Sequence, residues 1–228
     1  MSATLGVVML ETRFPRPCGD IGNPETFAFP VRYRIVRGAS PRRVVIERDP
    51  TLLAPFVEAA RALEREGVAA IATSCGFLAL FQREMAAAVS VPVWTSSLLL
   101  VGAIEAGLRG GRRVGIVTTD AASLGAEHLR AVGARVDTPR EGLAPDSRFR
   151  ATVLEDRADL DVDEAERATV EAAERLVARH PEVDSIVLEC TNMPPYADAV
   201  RAATGRQVHD ITTLARARLA AARARSTT

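Results

Sequence analysis

The segments VAAIATSCGF at residues 68–77 and SIVLECTN at residues 185–192 decide the fold. Each begins with consecutive apolar residues, as in a strand of a parallel sheet that is covered on both faces. Each then reaches a cysteine, Cys75 or Cys190, directly behind the strand and in front of a predicted helix. The two motifs therefore predict the same structural position in two halves of the chain.

Strand-like and helix-like segments alternate along the rest of the chain. The predicted strands are Leu5–Leu10, Val31–Val36, Val68–Thr73, Val91–Trp94, Arg113–Val117, Arg135–Thr138, Ser185–Glu189 and Gln207–Val208. The predicted helices are Leu52–Glu66, Phe77–Val89, a helix capped by Ser96 or Ser97 and ending at Leu108, Leu124–Val132, Val162–Arg179, Pro195–Ala203 and Ile211–Arg225. This alternation predicts an α/β protein with parallel sheets and helices on both faces. Because the pattern restarts after Gly111, the second half repeats the plan of the first.

The composition excludes several classes of function. The chain has 29 basic and 29 acidic residues, so no net field attracts nucleic acid or an anionic membrane. Every basic residue is an arginine. Without lysine the chain cannot form a pyridoxal-phosphate Schiff base, a P-loop or a lysine-based aldolase site. We therefore expect no cofactor.

The cysteines and histidines indicate the compartment and exclude a metal site. Three cysteines are too few and too scattered for a disulfide framework, which predicts reduced thiols. The N-terminal residues lack the charged and apolar regions of a signal peptide, and no stretch is long enough to span a membrane. We expect a cytoplasmic protein. The three histidines share no metal-ligand spacing, so no metal is expected.

The paired cysteines suggest proton transfer at a carbon acid. If the two halves face each other across a cleft, one thiolate removes a proton from one face of the substrate while the other thiol protonates the opposite face. The charge on the planar intermediate needs hydrogen-bond donors. Candidates are the backbone N–H groups behind each cysteine and the side chains of Ser74, Thr118, Thr191 and Asn192.

Residues 72–77 (ATSCGF) and 188–194 (LECTNMP) resemble the two cysteine motifs of the aspartate/glutamate racemase superfamily. That superfamily also contains hydantoin racemases, maleate isomerases and arylmalonate decarboxylases. The resemblance implies two pseudo-symmetric, flavodoxin-like α/β lobes with mainly parallel sheets and an active site in the cleft between them. The last helix returns to the first lobe in this superfamily, so the lobes are expected at residues 1–96 with 211–228 and at residues 97–210.

The resemblance also implies a function and a site. The expected function is that of a cofactor-independent racemase, epimerase or isomerase that acts on a small carboxylate with Cys75 and Cys190 as catalytic residues, in a homodimer. The expected substrate-binding residues are Ser74, Gly76, Phe77, Thr118, Thr191, Asn192, Arg13 and Arg16, the arginines as carboxylate ligands. Gly76-Phe77 stands where amino-acid racemases carry Asn-Thr, which argues against a free amino acid as substrate. Asn192 stands where glutamate racemases carry histidine.

Three alternatives remain open. One is a maleate-isomerase-like route in which one cysteine adds to a double bond and the other protonates it. Another is a Cys-His hydrolase or amidotransferase-like enzyme with Cys75 as nucleophile and His209 or His128 as base, although the polar neighbours of His128 predict a surface position. A third is a small-molecule-binding protein without turnover. Cys18 lies in the loop of residues 11–27 and is expected to be an incidental thiol.

Overall fold

The structure, a computed structural model, describes residues 3–225, and residues 221–225 by their backbone only. Within that range eight strands form two sheets, and every strand pair is parallel. The strands are β1 (Leu5–Leu10), β2 (Val31–Val36), β3 (Ala70–Thr73), β4 (Val93–Trp94), β5 (Arg113–Thr118), β6 (Arg140–Gly142), β7 (Val183–Leu188) and β8 (Gln207–His209). The sheet orders are β2-β1-β3-β4 and β6-β5-β7-β8. The predicted α/β fold with two similar parallel sheets is confirmed.

Helices connect the strands. They are α1 (Leu53–Arg65), α2 (Gln82–Ala87), α3 (Leu99–Gly107), α4 (Ala126–Ala131), α5 (Arg148–Glu155), α6 (Val162–Arg179), α7 (Ala197–Thr204) and α8 (Ile211–Arg225). The start of α6 agrees with its prediction because the Asp161 side chain accepts a hydrogen bond from the backbone N–H of Glu164. Its buried residues Ala165, Ala172 and Leu176 recur at helical spacing and pack against the second sheet.

The central strands are buried over their whole length. All six residues of β1 and all four of β3 are buried, as expected for strands covered on both faces. The final helix packs against the first sheet, where Ile211 and Leu214 join the apolar cluster that contains Leu5, Val7 and Ala72. The chain therefore returns to its first sheet at its C-terminal end.

Two predicted elements are wrong in position or type. Residues 135–138 form a turn closed by a hydrogen bond from Thr138 N–H to the Arg135 carbonyl, and the edge strand β6 lies further along. The β-branched Val136 that favoured a strand is 43% exposed, so it has no sheet to pack against. The helix predicted over residues 77–89 begins instead as a 3-10 helix, Gly76–Phe81, before α2 follows.

Two further segments were not predicted. One is a short π-helical segment, Arg42–Ile46, between β2 and α1, and the other is α5, between β6 and α6. They occupy equivalent places in the two halves, each between an edge strand and the long helix that follows it. They also contact each other across the halves. We call these two the cover segments.

In the part of the chain that the structure describes, no helix combines the length and the apolar character needed to cross a membrane.

Candidate active site

The turn behind β3 fixes Cys75 at the carboxyl end of the first sheet. The Thr73 hydroxyl donates to the carbonyl of Thr95 (2.7 Å), and the Leu10 N–H donates to the Ser74 hydroxyl oxygen (2.9 Å). Cys75 itself is extended, with φ −154° and ψ 121°, and the 3-10 helix begins at the next residue. This change of direction turns the backbone N–H of Phe77 towards the Cys75 sulfur.

The turn behind β7 places Cys190 in the equivalent position of the second sheet. The Glu189 N–H donates to the Val117 carbonyl (2.8 Å), which extends the pairing of β7 with β5 to the residue before the cysteine. The Met193 N–H then closes a turn on the Cys190 carbonyl (3.1 Å). The Cys190 sulfhydryl donates to Oδ1 of Asn192 over 3.6 Å.

Hydrogen bonds between the two halves bring these turns together. The Thr191 hydroxyl donates to the Ser74 carbonyl (2.6 Å), so the residue after Cys190 is bonded to the residue before Cys75. Two residues before Cys190, the Leu188 carbonyl accepts from the Ser97 hydroxyl (2.7 Å). All four groups lie in buried residues, where such bonds are protected from competition with water. The turns therefore form one rigid assembly.

Both cysteines line one small pocket between the halves. Its apolar wall consists of Leu10, Phe14, Pro41, Val45, Phe77, Val153 and Leu154. Its polar lining consists of Ser74, Thr119, Glu189, Thr191 and Asn192, with the backbone of Gly76. Among these residues, all within the described range, none carries a positive charge. Val45, Val153 and Leu154 come from the cover segments, which close the pocket on the side opposite the sheets.

Glu189 is a pocket residue that sequence reasoning missed. Its side chain is fully buried, and Oε2 accepts a hydrogen bond from the Thr118 hydroxyl (2.6 Å). Oε1 has no hydrogen-bond partner among the described residues. Burial raises the pKa of the carboxyl group to about 7, against the opposing effect of the Thr118 hydrogen bond. The signal in the sequence was an acidic residue at the end of an apolar strand, directly before the cysteine.

Gly76 provides the space that Glu189 occupies. A Cβ atom on residue 76 would overlap the Glu189 carboxylate and its backbone carbonyl oxygen, so no side chain fits here. The glycine that follows Cys75 is thus required by the opposite half of the molecule.

Both thiols have strongly raised pKa values. Burial is the main cause for each, and the charge of nearby Glu189 is the second. The pKa of Cys190 rises to about 12, and that of Cys75 is also strongly raised. Both cysteines are therefore neutral thiols near pH 7, and a positive charge entering the pocket would favour their ionisation.

The structure does not bring all predicted site residues to the pocket. Cys75, Cys190, Ser74, Gly76, Phe77, Thr191 and Asn192 line it. Thr118 reaches it only through its bond to Glu189. The Arg16 side chain is 10% exposed and paired with Asp20 (2.9 Å), and that of Arg13 is 71% exposed and paired with Asp156 (3.2 Å). Both guanidinium groups are thus occupied by carboxylates of the protein itself.

The histidines and the third cysteine lie outside the pocket lining. The prediction of a surface position for His128 is wrong: it is fully buried, its ring packs edge-on against Phe77 at 5.1 Å, and burial lowers its pKa to about 4. Burial also lowers the pKa of His209. Cys18 is exposed. Among residues 3–225 no three His, Cys, Asp or Glu side chains are grouped as metal ligands.

Comparison with known proteins gives a family and several relatives. The sequence model of the Asp/Glu/Hydantoin racemase family matches residues 41–219. A dimethylsulfoniopropionate lyase of Durusdinium sp. clade D is 32% identical over 91% of this chain and 71% of its own length. Dimethylsulfoniopropionate lyase 3 of Emiliania huxleyi (strain CCMP1516) is also 32% identical, over 95% of this chain, but the match spans only 59% of that relative.

Solved structures share the fold. Allantoin racemase from Klebsiella pneumoniae superposes with a TM-score of 0.67 over 99% of this chain and 89% of the racemase, at 15% sequence identity. At this identity the similarity establishes the arrangement of strands and helices and leaves the substrate open.

Proposed function

The chain belongs to the Asp/Glu/Hydantoin racemase family of enzymes. From that membership, together with the similarity to two dimethylsulfoniopropionate lyases, we propose that it is a cofactor-independent lyase acting on dimethylsulfoniopropionate. In this proposal a thiolate in the pocket removes a proton from the carbon next to the carboxylate. Dimethyl sulfide then leaves from the neighbouring carbon. The racemase expected from the sequence becomes the second candidate.

The observation that carries the proposal is the charge of the pocket. Cys75, Cys190 and Glu189 are all acidic groups, and no cationic side chain of the described residues lines the same space. A dicarboxylate or an acidic amino acid would place further negative charge beside Glu189 in a buried site, which is unfavourable. Dimethylsulfoniopropionate brings its own positive charge on sulfur. It therefore complements the pocket, and the two matched dimethylsulfoniopropionate lyases agree with this choice.

The elimination balances without a cofactor. The thiolate takes the α-proton, the electron pair of that C–H bond forms the double bond of acrylate, and the bond from the β-carbon to sulfur breaks. The sulfur keeps the bonding pair and leaves as neutral dimethyl sulfide, so the leaving group needs no acid. The thiol formed then returns its proton to solvent. The positive sulfur helps to generate the thiolate, because it opposes the pKa increase caused by burial and by Glu189.

Only one thiolate is needed for this reaction. The other cysteine stays a neutral thiol and would donate a hydrogen bond as negative charge develops on the substrate. The Cys190 thiol donates to Oδ1 of Asn192, an interaction that only the neutral form makes, so in this role its single proton would leave that acceptor for the substrate. This requirement separates the lyase from a racemase, which needs a proton carrier on each face of the substrate.

Racemisation or epimerisation of a small carboxylate is supported by a different observation. The two cysteines occupy equivalent positions behind β3 and β7 and line one pocket. Such a pair suits proton removal on one face and delivery on the other.

One experiment tests both candidates. Purified wild type, Cys75→Ser, Cys190→Ser and the exposed control Cys18→Ser are incubated with dimethylsulfoniopropionate, and dimethyl sulfide is measured by gas chromatography and acrylate by NMR. We expect turnover by wild type and Cys18→Ser, and a loss of at least about 100-fold when the cysteine that acts as base is replaced. No dimethyl sulfide from wild type contradicts the lyase. Deuterium exchange and loss of optical rotation with chiral carboxylates in deuterium oxide, abolished in both buried-cysteine variants, would establish the racemase instead.

A further inference from the structure

Glu189 has no part in the proton transfer proposed above, yet it lies fully buried beside both cysteines. One of its carboxylate oxygens is bound by Thr118. The other, Oε1, is buried without any hydrogen-bond donor among the described residues, in a residue that lines the pocket. An oxygen in this situation is costly, because a buried carboxylate oxygen without a partner loses its hydration and gains nothing in return. Such a group indicates a partner that arrives from outside.

The surroundings of Glu189 hold no cation that would serve as that partner. The acidic groups beside it are the two thiols, and its one hydrogen-bond donor is a neutral hydroxyl. Arg16, in the loop behind β1, is paired with Asp20. At pH values above the Glu189 pKa of about 7, the site thus contains a buried negative charge that the described protein residues leave unneutralised.

The fold also makes room for this carboxylate beside Cys75. Gly76 presents no side chain at the point where a Cβ atom would meet this carboxylate. On the other side the pocket offers aromatic and aliphatic surfaces from Phe14, Phe77 and Val153. Apolar and aromatic walls around one carboxylate favour a cation that carries methyl groups over a small, strongly hydrated one.

We propose that the Glu189 carboxylate is the recognition group for the cationic, methylated onium centre of the substrate. This inference rests on the proposed function in taking the substrate to be an onium carboxylate. It adds the residue that selects the cation. In this arrangement the cation and Glu189 neutralise each other, and the carboxylate end of the substrate is left towards the backbone N–H groups behind the cysteines.

The test compares two ligands of the same shape that differ only in charge. They are 3-(trimethylammonio)propionate and its all-carbon counterpart 4,4-dimethylpentanoate. Binding is measured by isothermal titration calorimetry at pH 8 with wild type, Glu189→Gln, Glu189→Asp and the exposed control Glu58→Gln. We expect wild type and the control to bind the ammonium ligand at least about 10-fold more tightly, which corresponds to ~1.4 kcal/mol. Glu189→Gln should lose this preference, and Glu189→Asp should keep part of it.

Each outcome decides a different question. Equal binding of the two ligands by wild type, or an unchanged preference in Glu189→Gln, overturns the role of Glu189. Because loss of binding could reflect misfolding, 4,4-dimethylpentanoate serves as the internal reference, and its affinity should stay within about 3-fold in Glu189→Gln. A clear preference for the cation without any production of dimethyl sulfide would support the cation site and contradict the lyase. Production of dimethyl sulfide without a preference for the cation would support the lyase and contradict the cation site.

Discussion

The Asn192 amide nitrogen donates a 2.7 Å hydrogen bond to Oδ2 of Asp20, across 172 positions of sequence. The bond ties the loop behind β1 to the turn that carries Cys190. Asp20 is buried, and its other carboxylate oxygen, Oδ1, accepts from Arg16 and from the Gly22 N–H (2.7 Å). The loop of residues 11–27 is thereby fixed to the second half of the molecule at the edge of the pocket.

Replacing this amide by a carboxylate should be strongly destabilising. In Asn192→Asp two buried carboxylates face each other at hydrogen-bond distance, and the N–H group that joined them is gone. We expect a loss of about 3–5 kcal/mol in the free energy of unfolding, measured by chemical denaturation. The control Gln207→Glu makes the same chemical change at an exposed position and should alter stability by less than about 0.5 kcal/mol. Equal effects of the two substitutions would contradict the role of the Asn192–Asp20 bond.

Replacing Arg16 should destabilise the protein far more than replacing Arg13, although the two residues lie three positions apart. Arg16→Ala leaves Asp20 as an unpaired charge whose side chain is 1% exposed, so we expect a loss of about 3–5 kcal/mol. Arg13→Ala removes an exposed pair with Asp156 and should cost less than about 1 kcal/mol. The same two variants test the expectation that either arginine binds the substrate carboxylate. If Arg13→Ala weakened the apparent affinity for substrate by about 10-fold or more at unchanged stability, that expectation would be supported.

The contact between Gly76 and Glu189 predicts the effect of a single methyl group. In Gly76→Ala the new Cβ overlaps the Glu189 carboxylate and backbone carbonyl, so the two halves must separate or the carboxylate must leave the pocket. We expect destabilisation of about 1–3 kcal/mol and a large loss of turnover. Gly107→Ala is the matched control, because nothing lies within 4 Å of its added Cβ at the end of α3. A Gly76→Ala variant as stable and active as this control would show that the contact is unimportant.

Glu189 should give the protein a distinctive dependence on pH. Burial raises its pKa from 4.5 to about 7, so the neutral carboxyl group is the form that the folded state favours. Its stabilising contribution is complete below pH 4.5 and is lost as the pH rises through about 7. We expect the difference in free energy of unfolding between wild type and Glu189→Gln to fall by ~3 kcal/mol over this interval. A difference that stays constant from pH 4 to about pH 8 would contradict the assignment.

The three cysteines should react with iodoacetamide at very different rates. Cys18 is exposed, whereas Cys75 and Cys190 are buried thiols with raised pKa values. At pH 7.5 we expect Cys18 to be modified first, by at least about 100-fold in rate, because the thiolate is the nucleophile. Mass spectrometry of digested samples measures each site. Comparable rates at all three cysteines would show that the pocket thiols are ionised or accessible.

The sequence predicted the repeated plan of the molecule well because that plan depends on local patterns. Buried strands such as β1 have continuous apolar runs, and α6 combines a capping aspartate with regular apolar spacing. Edge strand β6 was misplaced because its three residues, Arg140–Gly142, carry no strand pattern of their own. Pairing with β5 alone makes them a strand.

The site was predictable only where its chemistry follows the strands. Cys75 and Cys190 come directly behind apolar runs, so their position at the carboxyl ends of the two sheets, facing one pocket, could be expected. The burial of Glu189 could not, because it depends on the absence of a side chain at Gly76, which lies 113 positions earlier in the chain (189 − 76). His128 was expected at the surface for a similar reason. Its polar sequence neighbours did not reveal that Phe77 covers its ring.

The shape of the pocket and its acidic groups depend on different parts of this protein, so evolution can change them independently. The thiols and Glu189 are carried by turns that the parallel sheets hold in place, whereas part of the apolar wall is formed by Val45, Val153 and Leu154. Exchanging residues in the cover segments would reshape the space for the substrate without moving an acidic group. A lineage built on this scaffold can therefore acquire a new substrate range through two short surface elements while it inherits its proton chemistry unchanged.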